Sequence, residues 1–478
     1  MSGDLLNDDL AVVNVGVGAF AESVLGQGKP VVQLDWRPPG DGDAALSWQL
    51  AQLLGDKADP ESPGARVDRA NEKATSRMLA AQPRLVDVAL KAHEVWPDMG
   101  RTLLHAGAPV PWEKMCEPMQ GSMIGAVLYE GWAKTPEEAR ALLAGGKIPF
   151  AQCHDWNAVG PMSGVISQSM PVYVVTNGTH RNTAYTNFSE GIGKVLRFGA
   201  YGPEVIARLQ WIGEVLAPAV KAALQNVPDG IDLKFIQSQA LLMGDEVHSR
   251  NAAATALFFM ALAPALVASD FDRERAQEAL AFIAANSQFF LNLSMVSSKS
   301  IMDATHGVED SSIVTAIARN GVTTAIRVSG LGKRWFEAPS DTPIGLFFPG
   351  FKQSDSNPDL GDSAICETAG FGGQSLAASP ALVKLVGGSV AEAIGYSREM
   401  GYIAWTRNPT MSLPNLDFAG APAGIDIRKV VDTGIRPVLT TGIAHKQAGV
   451  GQIGAGIVRA PMACFTQAVT ALAERMGV

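Results

Sequence analysis

The stretch Ala11–Asp35, AVVNVGVGAFAESVLGQGKPVVQLD, sets the expected fold class. Ala11–Val15 is apolar and β-branched, as a strand favours. Gly16-Val17-Gly18-Ala19-Phe20-Ala21 turns the chain into a short helix, and Pro30–Leu34 reads as the next strand, ending at Asp35. The glycines match a G-x-G-x-x-A pattern with an acid after the second strand. In a dinucleotide fold that pattern lets a pyrophosphate approach the helix N-terminus and places a ribose on Asp35. No long run of further strand–helix units follows, so the glycines are read as packing turns of a small Rossmann-like unit, and no cofactor is assigned to them. Trp36–Asp43, WRPPGDGD, stops the strand with proline and glycine.

Outward from that unit, residues 44–93 read as helical with a polar break at Asp56–Gly64. Thr135-Pro136-Glu137-Glu138 opens a helix with a cap, a first-turn proline and two acids against the dipole, and Gly145-Gly146 closes it. Residues 203–225 form another helix. Ala252–Ala268 carries no charge and contains Pro264; its length predicts a buried core helix rather than a membrane span. Glu309 and Asp310 are read as opening a helix that Arg319 ends and Gly321 caps. Val322–Val328, Thr342–Phe348 and Val438–Ile443 read as strands, and Gly449–Gly456 (GVGQIGAG) as a sharp strand-to-helix turn. The expected architecture is α/β: a Rossmann-like N-terminal domain over 1–110, mixed α/β with glycine-rich loops over 111–200, a mostly helical domain over 201–321 and a C-terminal α/β region over 322–478. A chain of 478 residues is too long for one core, which is why several units are expected.

Composition narrows the function classes. A net charge of -9 gives no footprint for nucleic acid or an anionic membrane surface. The four cysteines, Cys116, Cys153, Cys366 and Cys464, form no CxxC pair and no metal-ligand spacing, which fits reduced thiols in the cytoplasm. The start MSGDLLNDDL has neither the basic nor the apolar region of a signal peptide. Low charge beside high apolar content predicts large buried interfaces, hence a homo-oligomer.

Chemistry concentrates in Asn286–Gly321, NSQFFLNLSMVSSKSIMDATHGVEDSSIVTAIARNG. Its hydroxyls, among them Ser298, alternate with Lys299, Asp303 and His306 between apolar ends. A polar run held this way must satisfy its hydrogen bonds internally or face a ligand. Helix ends account for Glu309 and Asp310 but not for Lys299, Asp303 or His306. Three further motifs join it. His154, Asp155 and Asn157 lie in a Gly/Pro-bounded loop, where catalytic groups are common, although Asp155 and Asn157 are also ordinary turn formers. Lys194 and Arg197 flank Gly191 and Gly193 in a weak anion cradle that lacks the Walker ending. In GDEVHSRN, Asp245 reads as a cap and Glu246 with Arg250 as a helical pair, which leaves His248 and Asn251 unexplained. The loop Phe351–Gly373 adds Lys352, Asp355, Asp362, Glu367 and Thr368 as candidates for ligand or metal contact.

Taken together, NVGVGAF…QGKPVVQLDWRPPGDGD, HDWNAVGPMSG, NFSEGIGKVLRFGAYG, GDEVHSRN and SSKSIMDATHGVEDSS resemble the YahG/YlbE-like family over nearly the whole chain. The resemblance implies a place beside FdrA-like proteins, themselves similar to succinyl-CoA synthetase subunits. It also implies a role as a subunit of oxamate carbamoyltransferase in allantoin breakdown, interconverting oxalurate plus phosphate with oxamate plus carbamoyl phosphate. It carries over no catalytic residue. The residues above suit that chemistry: Lys194, Arg197, Arg250 and Lys299 toward a phosphate or carboxylate, Asn157, Asn251 and Ser298 toward an oxyanion, and His154, His248 or His306 as base. The serine-threonine-arginine phosphate motif of aspartate-type carbamoyltransferases is absent. Competing expectations are a metal-dependent amide hydrolase using His154, Asp155, Asp245, His248 and the His306–Asp310 cluster, and a non-catalytic partner of an FdrA-like subunit.

Overall fold

The computed structural model describes residues 12–29, 31–34, 38–385 and 388–478. Strand β1 (Val12–Val15), helix α1 (Gly18–Leu25) and strand β2 (Val31–Leu34) form in the predicted order, with the two strands parallel. Among the described residues this sheet ends at two strands. Among the described residues Val13, Val15, Phe20 and Val32 are exposed. The Rossmann-like N-terminal domain expected from Ala11–Asp35 is therefore a single βαβ turn, and Asp35 lies outside the described residues.

Helices α2 (Ala44–Leu54) and α3 (Pro63–Ala80) fall on either side of the predicted polar break. Asp43 and Ser62 cap them, accepting from Leu46 N at 3.0 Å and Ala65 N at 3.2 Å. Within the stretch read as helical to residue 93, Pro83–Ala89 is instead strand β3, paired with a later strand; the chain continues through β4 (Leu103–His105), α4 (Glu117–Tyr129), α5 (Pro136–Ala144), β5 (Phe150–Gln152), β6 (Ala158–Val159), β7 (Val165–Ile166), β8 (Val172–Asn177) and β9 (Thr183–Asn187). Thr135 caps α5 as read, accepting from Glu138 N at 3.2 Å. Next come α6 (Pro203–Trp211), a π turn at Ile212–Leu216, α7 (Ala217–Leu224), β10 (Ile231–Asp232), α8 (Leu233–Leu242), α9 (Ala252–Val267), α10 (Arg273–Ala285) and α11 (Leu291–Thr305).

The main sheet has the order β10-β3-β8-β9-β6, antiparallel except for the parallel β6–β9 pair. It takes strands from both sides of the expected limits at residues 110 and 200. Helix α11 is the centre of the molecule. It packs on β3, β6, β8 and β9, on α3, and on α8, so almost every residue in it is buried. Phe289, Phe290, Leu293, Val296 and Met302 join the largest apolar cluster with Met78, Val88, Val175 and Phe258. Its hydroxyls divide: Ser294 donates to Val247 O at 2.6 Å and Ser297 to Gln237 Oε1 at 2.7 Å, a self-satisfied network, while Lys299 and Asp303 face a cavity.

Three expectations are corrected beyond α11. The residues read as a helix from Glu309 to Gly321 contain strand β11 (Val314–Asn320), the centre of a sheet with β12 (Thr323–Val328), β13 (Phe336–Pro339) and β15 (Leu360–Gly361). VTAIARN is β-branched and buried on both faces, so helix-end signals at its flanks lose to burial. Arg319 is no helix terminus but a fully buried strand residue bonded to Asp359 at 2.8 Å. Second, β14 (Ile344–Phe347) lies in a sheet outside this one. Beyond α12 (Ile365–Thr368), α13 (Pro380–Leu385), α14 (Val390–Ile403), β16 (Ala404–Leu413), β17 (Ala419–Ile425) and α15 (Ile427–Thr433), the chain reaches β18 (Val438–Ala444). GVGQIGAG does not turn into a helix there; it closes a hairpin to β19 (Gln452–Arg459), which pairs with β14 on its other edge. The glycines serve close backbone approach: a Cβ on Gly456 would meet Ile344 O at 2.4 Å. Helix α16 (Met462–Met476) follows β19 and packs with α2 and α15 in the second large core. Third, α9 buries Phe258 and Leu262, but Met260 and Val267 are exposed, so it is only half a core helix. Among the described residues no helix is long and apolar enough to cross a membrane.

Candidate functional site

Six of the residues expected from sequence meet at one cavity. His154, Asp155, Asn157, Lys299, Asp303 and His306 line a space of about 120 Å³ with Thr315, Ala316, Arg327 and Lys333. The chain builds it from three places. The last turns of α11 present Lys299 and Asp303, four residues apart and so on one face. A 3₁₀ turn at Cys153–Trp156 presents His154 and Asp155, and Asn157 ends it in the left-handed region at φ 53°. The β11–β12 ladder brings Thr315 and Arg327 to the opposite wall.

Lys299 Nζ pairs with the Asp303 carboxylate, and Arg327 pairs with Asp155 while stacking on Trp335 at 4.2 Å. His306 Nδ1 and the Thr315 hydroxyl are 2.8 Å apart. His154 Nε2 lies 3.5 Å from Asp362 Oδ1, whose carboxylate accepts from Gly107 N at 2.7 Å and Gly160 N at 3.0 Å. Burial, followed by the Lys299, Arg327 and His306 charges, holds His154 well below the usual imidazole range. Burial also lowers His306, against the pull of Asp303. Both rings are thus neutral near pH 7, each able to accept a proton. Asp362 is pushed up to about 6, chiefly by burial. Three cations, Lys299, Arg327 and Lys333, then face two carboxylates, Asp155 and Asp303, and the wall carries a positive surplus.

Polar atoms are left over here. His154 Nε2, Asp303 Oδ2 and Arg327 Nε are buried without a hydrogen-bond partner. Such atoms cost free energy unless a water or ligand pairs them; His154 Nε2 has Asp362 Oδ1 at 3.5 Å, which leaves Asp303 Oδ2 and Arg327 Nε for a polar occupant.

The remaining expected residues go elsewhere. Lys194 is exposed and lines neither this cavity nor its neighbour. Its loop is held by the buried Glu190, which accepts from Arg197 N at 3.2 Å and is pushed up to about 7 by burial. GDEVHSRN is a loop before α9, not its first turn; Val247 has φ 63°, which breaks any helix there. Glu246 turns inward to accept from Arg250 N at 2.8 Å, so the expected side-chain pair does not form; Arg250 Nε instead meets Asp245 at 3.1 Å. Asp245 does act as a cap, from nine residues upstream, accepting from Ala254 N at 2.9 Å. Asn251 braces this loop against Gln288 at 3.3 Å. Ser298 is fully buried and lines neither cavity. His248 and Arg197 line a second cavity, described below.

Arg327 and Lys333 went unread in the sequence. Arg327 sits in TTAIRV, where a lone arginine at the end of an apolar strand was the available signal. Lys333 follows a 3₁₀ turn at Ser329–Leu331 and had none. For the metal-dependent alternative, no group of three or more His, Cys, Asp or Glu among the described residues is placed to hold an ion.

A mixed α/β fold around one buried helix, with a cation-rich polar cavity at that helix's end, defines the class of protein. Comparison with known proteins places it further. A profile of the oxamate carbamoyltransferase subunit AllG family matches residues 148–363, the span that holds every residue lining the cavity. The chain is 50% identical to the oxamate carbamoyltransferase subunit AllG of Escherichia coli (strain K12) over 414 residues, 86% of this chain and 99% of that one. It is 45% identical over 480 aligned positions to the uncharacterized protein YahG of the same strain, covering 100% of both. The crystal structure of a conserved protein of unknown function from Enterococcus faecalis V583 superposes with a TM-score of 0.85 at 46% identity, covering 86% of this chain and 99% of that chain. The chain belongs to the AllG/YahG family.

Proposed function

We propose that this chain is a subunit of a carbamoyltransferase-type assembly, and that the Lys299–Arg327 cavity holds the phosphate or carboxylate of a small carbamoyl-bearing substrate. The observation that carries this reading is the buried, unpartnered Arg327 Nε on a wall with surplus positive charge. An anionic oxygen would accept from Arg327, Lys299 and Lys333, taking the place that Asp303 and Asp155 now hold. Neutral His154 or His306 would exchange the proton of the amine that attacks, or leaves, the carbamoyl carbon. A relative named as an oxamate carbamoyltransferase subunit supports oxalurate and oxamate as substrates, and supports partner subunits, of which an FdrA-like chain is the one we favour.

The test is phosphate-dependent cleavage of oxalurate, run on the chain alone and with an FdrA-like partner, scoring oxamate release. Lys299→Met and Arg327→Met are each expected to lower the rate at least 100-fold, in line with loss of a positioned cation, with unchanged circular dichroism. Activity that needs the partner and survives both substitutions would move the chemistry out of this chain. No oxamate in either setting would sink the substrate assignment.

A further inference from the structure

A second cavity lies at the other end of α11. Arg197, His248, Ser249, Gln288, Ser363 and Gln452 supply its polar wall, around a volume of about 60 Å³. Leu291 borders this cavity and Lys299 the first, so eight residues of helix, roughly 12 Å, separate the two. They are distinct sites.

The wall is organised around His248. Glu367 Oε1 lies 2.8 Å from His248 Nδ1 and also accepts from Thr440 N at 2.9 Å and Gly373 N at 3.2 Å. A carboxylate so fixed keeps the ring proton on Nδ1, which leaves the Nε2 lone pair free. Among the described residues Nε2 makes no hydrogen bond, and the ring borders the cavity. Arg197 is the only cation on this wall; it donates to Gly191 O at 3.0 Å, but its Nε is buried and unpartnered, as is the Ser249 hydroxyl. Among the described residues no carboxylate lines the space; the acids Glu246 and Glu367 stand behind His248, and the buried Glu190 stands behind Arg197.

We propose that this cavity is a binding site for a small monocarboxylate bearing an N–H or O–H beside the carboxylate, with Arg197 and Ser249 taking the anion and His248 Nε2 accepting the adjacent hydrogen. The unpartnered Arg197 Nε offers a charged donor to one carboxylate, and the volume suits a ligand of about four to six non-hydrogen atoms. The site is inferred from this geometry, while the choice of oxamate as its probe rests on the proposed function.

Oxamate and pyruvate test it, since they differ only in NH₂ against CH₃. Calorimetric titration of the full chain is expected to show saturable oxamate binding, with pyruvate at least tenfold weaker because His248 Nε2 loses its donor. His248→Gln removes that preference, while Arg197→Met weakens both ligands tenfold or more. Ser249→Ala weakens both to a smaller extent and serves if Arg197→Met does not fold. Lys299→Met alters only oxamate taken up by the first cavity, which a parallel titration with inorganic phosphate reads, and leaves the preference of the second cavity for oxamate over pyruvate intact. No saturable oxamate binding by the wild type, or binding lost in Lys299→Met and retained in His248→Gln and Ser249→Ala, overturns the proposal.

Discussion

At the scale of single residues, burial sets the protonation of this protein more than charge pairing does. Glu190 and Asp362 are pushed up to about 7 and about 6; burial outweighs the Arg197 charge and two backbone amides at Glu190, and the amides of Gly107 and Gly160 at Asp362. A carboxyl whose folded value is raised binds more protons in the folded state, so its share of stability is lost as pH rises from about 4 through 6 to 7. His105, His154 and His306 are lowered by burial and act oppositely: the unfolded chain takes up their protons first, so stability is lost as pH falls below about 6.5. The two limbs predict a maximum of stability near pH 6. Thermal midpoints between pH 5 and 8 should show it, and Glu190→Gln should flatten the alkaline limb, worth roughly 1–3 kcal/mol. An alkaline limb unchanged in that variant would refute the assignment to Glu190. Asn157 shows how one residue type serves two ends: its backbone holds a left-handed turn while its side chain lines the cavity.

At the scale of elements, glycine spacing proved ambiguous. Gly454 and Gly456 looked like a turn into a helix, yet they sit inside β19 because β14 crosses there with its carbonyls against their Cα atoms. Gly456→Val should therefore detach β14, costing about 1–3 kcal/mol and freeing the amides of Ile344–Phe347 to exchange, measured by hydrogen–deuterium exchange. Protection of that strand in the variant would show that the sheet adapts. Helix α11 was legible as important for the right reason. Its sequence mixes hydroxyls with Lys299, Asp303 and His306, and a helix buried on nearly all sides must either pair such groups or open onto something. The structure does both. Asn286–Gly321 could not show, however, that Val314–Asn320 is a strand, since helix-end signals are local and the burial that overrode them comes from β12 and β15.

At the scale of the whole molecule, the segment read as a long loop between residues 351 and 373 joins the two cavities to the β11–β12 sheet. Asp359 binds Arg319 at 2.8 Å and Thr441 at 2.8 Å, Asp362 faces His154, and Glu367 orients His248. Arg319→Met leaves the buried Asp359 charge with neutral donors only, Thr441 and Leu360 N, and should cost about 3–5 kcal/mol, seen as a lowered thermal midpoint. Adding Asp359→Asn should recover part of the loss; no recovery would mean that Arg319 acts through Gly361 O and Ser363 instead.

What the chain determined locally came through: the βαβ turn at its start, the cap at Thr135, the strands read at 322–328, 342–348 and 438–443, and the polar face of Lys299, Asp303 and His306. These depend on neighbours within a few residues, where spacing and side-chain type act directly. Tertiary structure alone decided that β1 and β2 would stay a two-stranded sheet, that VTAIARN would be a strand, and that Arg327, 172 residues from Asp155, would complete the cavity. Long-range burial and pairing made those choices, and no local periodicity encodes which distant segment will supply the partner.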